Sequence, residues 1–100
     1  MQLARFLNQV FKKDGFILVD ANSKNYIIGT PERKNPIKLK IFDKKLHYKL
    51  LFHPDLYFGE AYIDGDLVIE NGSLTDFLNL ALMNFGRNEL NFLSYLINRL

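Results

Sequence analysis

Residues 37–43 read Ile-Lys-Leu-Lys-Ile-Phe-Asp. Apolar and basic side chains alternate strictly over the first five, the period of a strand with one buried and one wet face. Asp43 then offers a side chain suited to cap a helix, which the sequence predicts to run to about His53, where Pro54 stops it. Residues 57–70, Tyr-Phe-Gly-Glu-Ala-Tyr-Ile-Asp-Gly-Asp-Leu-Val-Ile-Glu, read as two short strands, or a strand and a loop, punctuated by Gly59 and Gly65. Ser73 opens another helix, with Asp76 at the position of a capping-box acid. Its apolar set is Leu74, Phe77, Leu78, Ala81, Leu82 and Phe85, and Gly86 sits where a left-handed cap belongs.

Towards the N-terminus, Leu3, Phe6, Leu7, Val10 and Phe11 recur at helical spacing, with Arg5, Asn8, Gln9 and Lys12 on the other side. Asp14-Gly15 ends that helix. The run 16–19, Phe-Ile-Leu-Val, and the run 26–28, Tyr-Ile-Ile, flank turn residues 20–25 and read as a hairpin. The expected fold is therefore α+β, a small mostly antiparallel sheet of three to five strands covered by three or four helices. We expect one domain over residues 1–100, with an amphipathic helix at 1–13, a core at 15–86 and an apolar helix at 88–100.

That last helix spreads Leu90, Phe92, Leu93, Tyr95, Leu96, Ile97 and Leu100 over an arc of about 220°. So wide an apolar face suggests packing against further chain, a second subunit or lipid, which makes 88–100 a candidate docking segment. The other reading is a central helix of a compact fold.

Composition narrows the functional classes. A chain of 100 residues, 48% hydrophobic and 24% charged, holds one modest core and is too short for a nucleotide-binding domain plus a substrate domain. The absence of Cys excludes a disulfide scaffold, thiolate zinc sites, iron–sulfur ligation and a Cys nucleophile. No apolar run approaches the roughly 20 residues of a membrane span, and residues 1–13 lack the apolar segment of a signal peptide. A reducing, cytoplasmic setting is the expectation.

The net charge of +2 conceals a division. Residues 24–49 hold eight basic residues against Glu32 and Asp43, a net +6. Residues 50–100 hold two arginines against seven acidic residues, a net −5. Lys38, Lys40, Lys44, Lys45 and Lys49 are thus candidates to meet phosphates or anionic headgroups, the plainer reading being a solvated face. Nucleic acid is not the expected partner, because the lysines lack an interleaved aromatic platform or recognition motif.

Catalytic constellations are mostly missing. The chain has no glycine-rich phosphate loop, no nucleophile elbow and no zinc-protease motif. His47 and His53, six apart around one short helix, project in different directions and with scattered carboxylates make only a weak metal case. Ser73 is explained as a helix cap. Glu60, Asp64 and Asp66 could do acid–base work, but turn acceptors beside Gly59 and Gly65 are the reading preferred here.

The segment 59–66 stands as Gly-Glu-Ala-Tyr-Ile-Asp-Gly-Asp, after His53-Pro54-Asp55-Leu56-Tyr57-Phe58 and before Leu67, Glu70 and the helix from Ser73. It resembles the G-E-[AS]-Y-M-D-G-[DEW] marker in the small N-terminal domain of the cyclopropane-fatty-acyl-phospholipid synthase family of S-adenosylmethionine-dependent methyltransferases. Ile63 replaces the usual Met at similar volume. The resemblance covers roughly residues 15–86, and its motif residues are Gly59, Glu60, Tyr62, Asp64 and Gly65. The order of elements is also similar, more loosely, to sterol-carrier-type lipid-binding domains.

The resemblance implies a non-catalytic accessory domain whose catalytic partner, a Rossmann-like domain in cis or in trans, holds S-adenosylmethionine and the reacting residues. No cofactor is implied for this chain. The implied partners are a phospholipid or membrane surface and the methyltransferase domain; the wide apolar face at 88–100 adds a second copy of the chain as a candidate. Phe77, Leu78, Leu82, Leu93 and Leu96 are candidates to face an acyl chain or a partner, the plainer reading of each being an ordinary core position. The implied location is cytoplasmic, peripheral at the inner membrane surface. The alternative is a stand-alone interaction module that docks a separately encoded methyltransferase or self-associates.

Overall fold

The computed structural model describes residues 1–85. They form helix α1 (Gln2–Val10), strands β1 (Gly15–Val19), β2 (Asn25–Gly29) and β3 (Lys38–Ile41), helices α2 (Lys44–Phe52) and α3 (Pro54–Asp64), strand β4 (Leu67–Glu70) and helix α4 (Leu74–Asn84). The strands make one sheet in the order β2-β1-β3-β4. β1 and β2 are the expected antiparallel hairpin, β3 runs parallel to β1, and β4 returns antiparallel to β3. The architecture is α+β, four helices on a mostly antiparallel four-stranded sheet.

The alternation that defines β3 also divides the two faces of the sheet. On the same face as Leu39 and Ile41 stand Phe16, Leu18, Ile28 and Leu67, all buried in one cluster with Leu3, Leu7, Leu46, Leu50, Phe58, Phe77 and Leu78 from the helices. The opposite parity puts Ile27, Ile17, Lys38 and Glu70 in one row, and Asn25, Val19, Lys40 and Val68 in the next, on the face away from the helices. Ile27 is 67% exposed there.

Polar side chains join the elements. Asn84 accepts hydrogen bonds from the backbone N–H groups of Lys12 and Lys13 at 2.8 Å and donates to the Lys13 carbonyl at 2.9 Å, tying the end of α4 to the chain leaving α1. Asn8 accepts from Gly29 N–H at 2.8 Å and donates to the Ile27 carbonyl, tying α1 to β2. In the hairpin loop, Asp20 accepts from the N–H groups of Asn22 and Lys24, both at 2.9 Å. Partial burial alone would raise the Asp20 pKa; these hydrogen bonds, the Tyr26 hydroxyl and the nearby His47 outweigh it and hold the carboxyl below its usual range.

Residues 54–64 correct the sequence reading. They form a helix, not strands or a loop, so Pro54 both ends α2 and begins α3, with His53 alone between them. Proline suits the first helical position, where its missing N–H would have had no partner. Gly59 is a buried mid-helix residue rather than a turn position. A helical glycine costs about 1 kcal/mol relative to alanine. Packing of α3 along α2, with Phe58 stacked on Phe77 at 5.3 Å between centroids, outweighs that cost. α4 also ends earlier than expected, because Phe85 is its extended C-cap. The cap expected at Gly86 and the helix expected at 88–100 lie outside the described residues.

The capping box of α4 forms as expected. Ser73 Oγ accepts from Asp76 N–H at 3.0 Å, and the Asp76 carboxylate accepts from Ser73 N–H at 2.9 Å. The Ser73 backbone and side chain, with Arg33 Nη1 at 3.9 Å adding a little, hold the Asp76 carboxyl below the usual aspartate range. A carboxyl depressed in the folded state stabilises the fold above its unfolded pKa of about 3.9 and loses that contribution as pH falls through the lower folded value. Urea unfolding of Asp76→Asn should therefore show a shallower loss of stability below about pH 4 than the wild type. Parallel pH curves would contradict the cap. Ser73→Ala should cost about 1 kcal/mol at neutral pH.

Candidate functional site

The motif segment is the joint between α3 and β4. Ala61 is buried one turn before the end of α3, and Tyr62 packs half-buried against the core. Gly65 then takes the left-handed conformation, φ 81°, and its N–H donates to the Tyr62 carbonyl while Asp66 N–H donates to the Ala61 carbonyl at 2.9 Å. This pair of bonds is a Schellman cap. The Asp66 carbonyl in turn accepts from Phe42 N–H at 3.0 Å and sets the chain into β4. Gly65 is thus the turn glycine that the sequence suggests.

The acidic residues behave differently from the sequence reading. Glu60 and Asp64 stand exposed one turn apart on α3, and among the described residues neither accepts a hydrogen bond, so they are not turn acceptors. His47 and His53 lie at the middle and the C-cap of α2. His47 buries its Nε2 without a hydrogen-bond partner, beside a shallow pocket of about 250 Å³ that Met1, Gln2, Leu3, Tyr48 and Leu51 also line.

The five lysines separate into two groups. Lys38 and Lys40 point from β3 onto the open sheet face, where Lys40 Nζ pairs with Glu70 Oε1 at 3.1 Å. Lys44, Lys45 and Lys49 are exposed on α2. Lys44 and Lys45 occupy its first turn, behind the Asp43 cap that accepts from Lys45 N–H at 2.9 Å. Cations at a helix N-terminus oppose the macrodipole, so neither lysine is placed there for helix stability. Lys49 Nζ sits over the Tyr57 ring at 5.5 Å from its centroid.

Two aromatic residues missing from the sequence reading share that surface. Tyr48 is 61% exposed and Phe52 73% exposed. At 100° per residue, α2 turns Leu46 and Leu50 to the core and presents Lys44, Tyr48, Phe52, Lys45 and Lys49 in that order over an outer arc of about 140°. The signal was present as Lys-Lys-Leu-His-Tyr-Lys-Leu-Leu-Phe at 44–52, once helical spacing is laid over it.

Of the residues expected to face an acyl chain or partner, Phe77 and Leu78 are in the closed core, Phe77 edge-on to Phe16. Leu82 is exposed on α4 beside Met83. Leu93 and Leu96 lie outside the described residues. No helix among the described residues is long and apolar enough to cross a membrane. No family model matches the chain, and no curated protein matches its sequence.

Proposed function

We propose that the chain is a non-catalytic accessory domain of a cyclopropane-fatty-acyl-phospholipid synthase-type methyltransferase, helping to bind or present membrane phospholipid acyl chains to the catalytic domain. The observation that carries this reading is the Gly-Glu-Ala-Tyr-Ile-Asp-Gly-Asp segment at 59–66, whose Gly59 and Ala61 are buried, whose Tyr62 packs on the core and whose Gly65 makes the left-handed cap. S-adenosylmethionine belongs to the catalytic partner. Here β3 enters α2 through Phe42-Asp43 and β4 enters α4 through Asn71-Gly72-Ser73, and neither is a glycine-rich cradle for a cofactor. A second reading, docking of a separately encoded methyltransferase or self-association, draws on the open sheet face with its exposed Ile27 and Val68.

Co-sedimentation with vesicles of unsaturated anionic phospholipid tests the lipid reading. Each lysine close to an anionic surface is worth about 1 kcal/mol. Changing Lys44, Lys45 and Lys49 together to Glu should therefore abolish binding at low salt, and the wild-type complex should weaken as salt rises. Binding unaltered by the triple change would remove the basic surface from the reading. No binding by the wild type would leave docking to a catalytic domain.

A further inference from the structure

We infer that α2 is the element that meets the lipid, lying along an anionic phospholipid surface with Tyr48 and Phe52 seated among the headgroups and Lys44, Lys45 and Lys49 on the phosphates. This inference rests on the lipid reading above and assigns its contact surface. Single exposed apolar residues are ordinary on a soluble domain, whereas two aromatic rings one turn apart, both more than 60% exposed, form a patch on the helix surface. The lysines flank that patch on both sides, Lys44 on one and Lys45 and Lys49 on the other.

An aromatic stripe bordered by lysines is the pattern of a helix that lies in a membrane interface. The rings occupy the headgroup layer, while the long lysine stems let the ammonium groups stay at the phosphates. Charge decides between this occupant and another protein surface of neutral character. Every charged side chain on the outer arc of α2 is basic, which complements an anionic surface. The exposed carboxylates Glu60 and Asp64 stand on α3, where the same surface would repel them. Lys38 and Lys40 take no part, since they lie on the open sheet face and Glu70 neutralises Lys40.

The chain has no Trp, so Phe52→Trp supplies a single reporter at the centre of the patch, and Ile27→Trp supplies a control on the open sheet face. With vesicles of anionic phospholipid, emission from Phe52→Trp should move to shorter wavelength and that from Ile27→Trp should stay unchanged. In co-sedimentation, Tyr48→Ser with Phe52→Ser should weaken binding about tenfold and leave its salt dependence intact, because partial burial of two rings is lost and no charge. Both sites are exposed, and circular dichroism should be unchanged.

Failure can take three distinguishable forms. Wild type that sediments with vesicles while only Ile27→Trp shifts would move the contact to the sheet face, overturning the inference and leaving the lipid reading in place. Wild type that never sediments would overturn both. Self-association that the Tyr48 and Phe52 changes abolish, without vesicle binding, would give the patch to a second copy of the chain and overturn both.

Discussion

Phe16→Ala is expected to remove about 4 kcal/mol of unfolding free energy, against about 5–15 kcal/mol for a domain of this length. Phe16 is fully buried in β1 and stands at the centre of a chain of rings. It meets Phe11 edge-on at 5.0 Å between centroids and Phe77 edge-on at 5.1 Å. Phe11 meets Phe85 at 5.6 Å in turn, and Phe77 stacks on Phe58. One ring therefore joins the sheet to the end of α1 and to α4, and through Phe77 to α3. The walls of the cavity left by alanine belong to separate elements, and none of them can close it without leaving its other contacts. Urea unfolding should show a lower midpoint at unchanged slope. A loss below about 2 kcal/mol would mean that the rings collapse around the gap and are not the centre of the core.

Gly15→Ala should cost about 3 kcal/mol by overpacking. A Cβ at this position would collide with the Ile28 carbonyl oxygen and come within 2.8 Å of Thr30 N, both backbone atoms. Gly15 lies opposite Gly29 at the open end of the hairpin, where Asp14 also accepts from Thr30 N–H through its carbonyl. Neither strand can retreat without breaking that pairing. The contrast is Gly65, whose φ of 81° disfavours a side chain but around which nothing lies within 4 Å of a built Cβ. Gly65→Ala should cost only the left-handed backbone penalty of about 1 kcal/mol. If thermal or urea unfolding ranked the two glycines the other way, the close approach of β1 and β2 at Gly15 would be wrong.

Much of this arrangement was legible from local chemistry. The alternation in 37–41, the hairpin turn between 20 and 25, the Asp43 cap and the Ser73–Asp76 box each involve residues close in sequence, and each forms. α3 was not legible. Its two glycines look like punctuation, and only one of them is: Gly65 ends the helix, while Gly59 sits inside it because the packing of α3 on α2 and of Phe58 on Phe77 outweighs a weak local preference. The candidate site was half legible. The lysines stand out by charge, but Tyr48 and Phe52 do not until the helix register turns Leu46 and Leu50 inward and leaves them exposed.

Local sequence sets which segments alternate, where three of the four helices among the described residues begin, and where charge accumulates, because those properties rest on hydrogen bonds and side-chain periods spanning a few residues. Only long-range packing settles the parallel pairing of β1 with β3 and the helical state of 54–64. Each of these depends on burying apolar surface between residues distant in the chain, a free energy that no short window of sequence contains.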